Sequence, residues 1–139
     1  MLPVRVVAGI GLVFAVLVPA AVADVLNGTE EPDTLVGTPD EDLIRGYRGD
    51  DDLRGKDAGD DIRGGRGRDE VRGNRGADTL RGGEAADLLR GGRGGDELDP
   101  GDGHDRVLAG DGDDVVLMFR DGQRDVVRCG PGDDEVRWY

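Results

Sequence analysis

Residues 64 to 72 read Gly64-Gly65-Arg66-Gly67-Arg68-Asp69-Glu70-Val71-Arg72, and this unit decides the fold because the chain repeats it. Its aliphatic centre returns every ninth position as Leu26, Leu35, Ile44, Leu53, Ile62, Val71, Leu80, Leu89, Leu98, Val107 and Val116. After a two-residue insertion the series closes with Val127 and Val136. Two positions before each aliphatic residue stands an aspartate: Asp24, Asp33, Asp42, Asp51, Asp60, Asp69, Asp78, Asp87, Asp96, Asp105, Asp114, Asp125 and Asp134. A period kept this strictly describes an array of identical small units. None of them can bury its apolar side chain alone, and each does so by stacking on neighbours.

Within one unit, Glu70-Val71-Arg72 forms a very short strand of three extended residues, sending Val71 inward and Glu70 and Arg72 outward. The six residues before it form a loop. Glycines at loop positions one, two and four permit φ > 0 and let backbone carbonyls face inward on a small ion. Calcium is a hard cation that takes about six to eight oxygens, commonly carboxylates mixed with backbone carbonyls. A loop with free carbonyls and one fixed aspartate supplies about half a shell, and two stacked loops supply a whole one. Aspartate also suits tight turns through its own backbone hydrogen bonds. A turn role alone would tolerate Asn or Ser at some of the thirteen positions, yet neither appears, which favours the ligand reading.

The expected metal-holding residues are Gly46, Gly49 and Asp51; Gly64, Gly67 and Asp69; Gly73, Gly76 and Asp78; and Gly91, Gly94 and Asp96. The variant loops add Gly103 with Asp105, Gly112 with Asp114, and Gly132 with Asp134. Repeated in this way, the pattern G-G-x-G-x-D-x-U-x resembles the RTX, or haemolysin-type calcium-binding, nonapeptide repeat family, over essentially all of residues 24–139. The resemblance implies an all-β, right-handed parallel β-roll, a solenoid of nine-residue repeats with two repeats per turn. It also implies several calcium ions held between loops stacked on the same side.

Alternation of units then puts Asp42, Asp60, Asp78, Asp96, Asp114 and Asp134 on one side, and Asp33, Asp51, Asp69, Asp87, Asp105 and Asp125 on the other. The glycine-complete loops predict two adjacent sites at Asp78, Asp96 and Asp114, a third at Asp51 and Asp69, and a fourth at Asp114 and Asp134. The fourth loop position holds Ala58 and Ala85 in two units, and Glu31, Asp40 and Gln123 in the terminal ones. Where a left-handed backbone is needed, a Cβ costs roughly 1–2 kcal/mol, so those sites are expected to be weaker or empty.

The formal charge of −13 argues against nucleic acid and anionic membrane surfaces, and makes a cation the natural partner of the chain. Arg5, the apolar run from Val6 to Val18, Pro19 and the small residues Ala20-Ala21-Val22-Ala23 read as a secretory signal peptide over residues 1–23. An uncleaved anchor is the alternative, since Val6 to Ala23 is about long enough to span a bilayer. Cleavage leaves one domain, residues 24–139, secreted, without stable membrane insertion, and at −14 because Arg5 leaves with no carboxylate. Seventeen arginines against the single Lys56 suggest GC-rich bacterial coding.

Cys129 is the only cysteine, so no internal disulfide staples the fold. It replaces the first glycine of its loop, either as a small residue or as a thiol that joins two molecules. One aliphatic side chain per nine residues is a thin core, and dense carboxylates repel one another. The roll is therefore expected to be largely unfolded without metal and to fold as calcium binds, in the roughly 10⁻⁴–10⁻³ M range of extracellular modules.

Arginines add a rival mechanism and a second surface. Loop residues Arg48, Arg66, Arg75 and Arg93 could neutralise the aspartates in place of calcium, giving a metal-free, salt-bridged solenoid that acts as an adhesion or polyanion-binding scaffold. Arg45, Arg63 and Arg81, and Arg54, Arg72 and Arg90, should form ladders on the two outer faces. Asp52, Asp61 and Glu70 stand ready to pair with them, so a solvated, charge-paired face is favoured over a polyanion-binding ladder. No enzyme is expected: the chain has no H-E-x-x-H, no G-x-S-x-G and no serine, and His104 lies at a free loop position. At the far end, the long loop from Met118 to Asp125 is expected to bulge with Phe119 over the core, while Trp138 and Tyr139 cap the last turn.

Overall fold

The computed structural model describes residues 23–139, so the signal-peptide reading falls almost wholly on residues outside it. Thirteen strands and no helix make up the described residues. One sheet holds β1 (Val25–Asn27), β3 (Leu43–Arg48), β5 (Asp61–Arg66), β7 (Thr79–Glu84), β9 (Glu97–Asp102), β11 (Val115–Met118) and β13 (Glu135–Trp138), in that spatial order. The other holds β2 (Thr34–Val36), β4 (Asp52–Lys56), β6 (Glu70–Arg75), β8 (Leu88–Arg93), β10 (Arg106–Asp111) and β12 (Val126–Arg128). Consecutive strands lie in opposite sheets and every pairing is parallel, so two repeats make one turn of a β-solenoid. This is the parallel β-roll that the family resemblance implies.

Register follows the aliphatic series. Ile44 pairs with Ile62, Ile62 with Leu80 and Leu80 with Leu98; opposite them Leu53 pairs with Val71, Val71 with Leu89 and Leu89 with Val107. These side chains form one continuous core between the sheets, fully buried from Ile44 to Val116. At the insertion the pairing offset changes from eighteen residues to twenty, with Val107 opposite Val127 and Val116 opposite Val136.

The strands are longer than the three residues expected. Those from β5 to β10 run six residues, because the first three loop positions keep pairing with the next turn, as in Gly65 with Gly83 and Arg66 with Glu84. A positive φ at the second position, +120° at Gly65, bends the strand without breaking its ladder. The true turn shrinks to the Gly-x-Asp that follows.

The last turn also departs from expectation. Met118, not Phe119, enters the core, and Phe119 is 41 % exposed, stacked on Tyr139 with ring centroids 5.5 Å apart. Trp138 and Tyr139 are each more than 60 % exposed and Val136 is 36 % exposed, so the aromatics flank the final rung without covering it. The alternation of β13 sets this: Trp138 pairs with Met118 on an edge strand that has no further layer above it.

Leu80→Ala, at a site with no solvent exposure, is expected to cost about 2–5 kcal/mol in calcium buffer. Val136→Ala on the open rung should cost less than half as much, read from denaturant midpoints for both variants.

Candidate metal centre

The aspartates that close the loops do not sit on the surface. From Asp42 to Asp114 all nine are buried, at 4 % exposure or less. Each points its carboxylate back under its own loop, where Oδ1 accepts a hydrogen bond from the backbone N–H of the aspartate one turn earlier. Asp42 N–H donates to Asp60, Asp60 to Asp78, Asp78 to Asp96, Asp96 to Asp114 and Asp114 to Asp134, at 2.8–3.0 Å. On the other side the chain runs from Asp33 through Asp51, Asp69, Asp87 and Asp105 to Asp125. Two uninterrupted ladders result, with the membership that alternation of units predicts.

The second oxygen has no such partner. Oδ2 of Asp51, Asp60, Asp69, Asp78, Asp87, Asp96, Asp105 and Asp114 is sealed from solvent and accepts no hydrogen bond. Burial therefore pushes these carboxyls upward, against the pull of the backbone N–H and aided in several cases by the neighbouring aspartate of the ladder. Asp51 and Asp105 rise to about 6, Asp60, Asp69 and Asp96 to about 7, and Asp87 to about 8. A carboxylate stripped of water with one bare oxygen calls for a proton or a cation.

Glycine at loop position one serves a different purpose from the one its presence suggests. It does not take a positive φ; instead, a Cβ there would meet the loop's own Asp Oδ2 and a carbonyl of the next turn. At Gly46 those atoms belong to Asp51 and Gly64, and at Gly64 to Asp69 and Gly82. The missing side chain leaves a cradle lined by a carboxylate oxygen and a backbone oxygen, the two donor types that calcium takes. Positions two and four carry the positive φ, as at Gly65 and Gly67. Ala58 and Ala85 are forced into it too, at φ +66° and +87°, whereas Glu31, Asp40 and Gln123 in the terminal loops avoid it.

Adjacent loops also bond directly to one another. Gly49, Gly76 and Gly94 N–H donate to the carbonyls of Arg66, Arg93 and Asp111 one turn on, at 2.8–2.9 Å. Across the insertion, Asp121 substitutes for that carbonyl, its Oδ2 accepting from Gly103 N–H at 2.9 Å. Asp134, in the fourth expected site, is only half-buried, because no further loop covers it. Among the described residues no three Asp, Glu, His or Cys side chains converge; each central loop buries one carboxylate, and a fuller shell would draw on the backbone.

Sequence reasoning missed Thr29 and Thr38. These replace glycine at position two of the first two loops, and their N–H and Oγ1 groups donate to Oδ2 of Asp33 and Asp42, with N–H distances of 2.6 Å. The substitution was visible, but its meaning depended on where Oδ2 points. The loop arginines, by contrast, leave the aspartate ladders alone. Arg48 pairs with Glu30, Arg66 with Glu84 and Arg75 with Asp57, and no ion pair among the described residues involves a ladder aspartate. Guanidinium groups therefore do not take the place of a cation there.

The model for the RTX calcium-binding nonapeptide repeat matches in four copies, at residues 27–62, 54–89, 63–98 and 81–116. The chain belongs to the RTX calcium-binding nonapeptide repeat family. No curated protein and no solved structure matches it. The RTX repeat is a calcium-binding structural module, and the bare Oδ2 atoms together with the oxygen-lined cradles fit that ion. No helix among the described residues is long and apolar enough to cross a membrane.

Two outcomes follow from this geometry. In chelator, the raised carboxyls favour the roll when protonated, fully below about pH 4, and lose that contribution as pH rises through about 6 to 8. The metal-free RTX chain should thus gain β-structure when titrated from pH 8 to pH 5, followed by circular dichroism. Separately, Gly76→Ala should destabilise the calcium-loaded roll by more than about 1 kcal/mol, because its Cβ would strike the Ala58 backbone. Ala58→Gly should be neutral to stabilising by about 1 kcal/mol, as it relieves a left-handed alanine. Thermal midpoints of the two variants would show the opposite signs.

Proposed function

We propose that this protein is an exported calcium-binding roll that folds cooperatively as ions are taken up between stacked loops. The observation that carries the reading is the row of eight buried Oδ2 atoms without partners, which leaves the ion-free stack electrostatically costly at neutral pH. Bound calcium supplies the positive charge and oxygen coordination that the buried carboxylates lose on leaving water. The chain's own part is to hold Oδ1 on the backbone of the preceding turn, which fixes where Oδ2 points, and to keep Cβ atoms out of the cradle.

The residues that would hold the ions are Asp51 and Asp69 with Gly46, Gly49, Gly64 and Gly67 on one side. On the other they are Asp78, Asp96 and Asp114 with Gly73, Gly76, Gly91, Gly94 and Gly112. Gly103 with Asp105, and Gly132 with the half-exposed Asp134, make poorer candidates. The first two loops need no ion, because Thr29 and Thr38 already serve Asp33 and Asp42. Since Oδ2 is sealed and neighbouring loops bond to each other, an ion enters as the layers close, which couples binding to folding.

Export rests on the signal-like residues 1–23 and on RTX repeats being typical of secreted proteins. Calcium outside the cell would keep the roll folded, while low calcium inside would leave the chain open for export. Its role is structural, with no catalytic constellation assigned.

Circular dichroism of residues 24–139 at pH 7.5 or so during calcium titration tests the reading, with EGTA and magnesium as controls. A steep coil-to-β transition with calcium alone is the expected result. Full β signal in EGTA at that pH would overturn it.

A further inference from the structure

The second sheet carries a groove on the side of β6 and β8 where their arginines stand, at the point where these strands run into their loops. It is open, about 480 Å³ in volume, and its walls are Arg72, Arg75, Arg90 and Arg93, with Asn74 and Asp111 beside them. Strands β6 and β8 set the arrangement: Arg72 lies in register with Arg90, and Arg75 with Arg93. Two arginine pairs therefore stand at most roughly 10 Å apart along the strands, three residues at about 3.3 Å each less the bend that the positive φ at Asn74 and Gly92 introduces. Between Arg90 and Arg93 the groove is lined by Gly91 and Gly92, of which Gly91 turns the empty place of its side chain inward to Asp96 and Gly92 presents only backbone.

This region has more arginine than acid to pair with it. One turn earlier, Asp52 and Glu70 hold Arg54 and Arg72 in close pairs. On β8 the corresponding place is Leu88, and on β10 it is Arg106, both in register with Glu70's column. Arg90 consequently reaches only Glu70, at 3.6 Å, and Arg75 only Asp57, at 3.5 Å. Arg93 has no ion-pair partner among the described residues, although Asp111 is its register neighbour. Long, single-contact pairs between exposed groups hold their partners weakly, so an incoming anion displaces little. The charge-paired face expected from the sequence is thus real at Arg54 and Arg72, and gives out one turn later.

We propose that this groove binds a ligand carrying two tetrahedral oxyanions, phosphate or sulfate esters, up to about 10 Å apart, one taken by Arg75 and Arg93 and the other by Arg90, since its neighbour Arg72 is already held by Asp52 and Glu70. The planar forks of guanidinium match such groups with paired hydrogen bonds, which lysine could not supply. Asn74 offers a further amide donor beside them, and Gly92, which presents only backbone, leaves room for the chain that links the two esters.

Isothermal titration of the calcium-loaded protein tests the proposal, using a sulfated heparin-type tetrasaccharide, an alkanediol bisphosphate and inorganic sulfate as probes. At least one of the two bivalent probes should bind about tenfold or more tightly than inorganic sulfate, and which one does so distinguishes a sulfated saccharide from a phosphate ester as the source. Arg90→Gln with Arg93→Gln should weaken that binding at least tenfold. Arg45→Gln with Arg63→Gln, on the opposite sheet, should leave it unchanged. Circular dichroism in calcium checks the fold of each variant. Should the first pair fail to fold, Leu88→Glu restores the missing acid beside Arg90 and should weaken binding several-fold with every arginine in place. No binding of either bivalent probe, or equal binding by the groove variants and the unaltered protein, would overturn the proposal.

Discussion

A single hydrogen bond, from the backbone N–H of one aspartate to Oδ1 of the aspartate one turn later, organises the whole roll. It ties each layer to the next at the corner where the chain changes sheets, and it draws nine carboxylates into the interior. Once there, a carboxylate can satisfy one oxygen from the backbone but not both, because the positive φ at loop position two turns the chain away from Oδ2 in the central loops. The geometry that builds the stack therefore also creates its demand for positive charge. The layered fold and the bare carboxylate oxygens arise from the same bond.

That coupling explains the division of labour along the nine-residue unit. The aliphatic residue fills the space between sheets, and its strict recurrence keeps every layer interchangeable. Glycine at position one yields its Cβ volume to oxygen atoms, and glycine at positions two and four bends the backbone. The outer residues are left to deal with charge. They do so in crossed pairs, Arg72 between Asp52 and Glu70 and Asp61 between Arg63 and Arg81, so the acidic interior is wrapped in a largely neutral exterior.

Much of this was legible in the sequence, for a physical reason: in a stack of equal layers, spacing along the chain is position in space. The period placed the buried column from Leu35 to Val116, and together with the two repeats per turn that the RTX resemblance implies it located the parallel register and the two aspartate ladders. What spacing could not convey was direction. The purpose of Gly64 depends on which way the Asp69 carboxylate folds, and the value of Thr38 depends on the same fact. Strand length was misjudged because Gly65 bends the chain while still pairing, which composition alone does not reveal. The end of the stack was hardest, since Phe119, Trp138 and Tyr139 have no equivalent in other layers from which to infer their place.

The insertion between Met118 and Asp125 shows what kind of ruler the molecule uses. Two extra residues shift every later pairing from eighteen to twenty, yet Val127 and Val136 still come opposite Val107 and Val116, and Asp125 and Asp134 still receive their hydrogen bonds. The surplus is expelled at a corner, where Asp121 bridges the gap. The architecture thus counts revolutions and not residues. Lengthening a corner, or duplicating an entire revolution, leaves the remaining contacts as they were, so arrays of this kind can vary in size without having to solve a new packing problem each time.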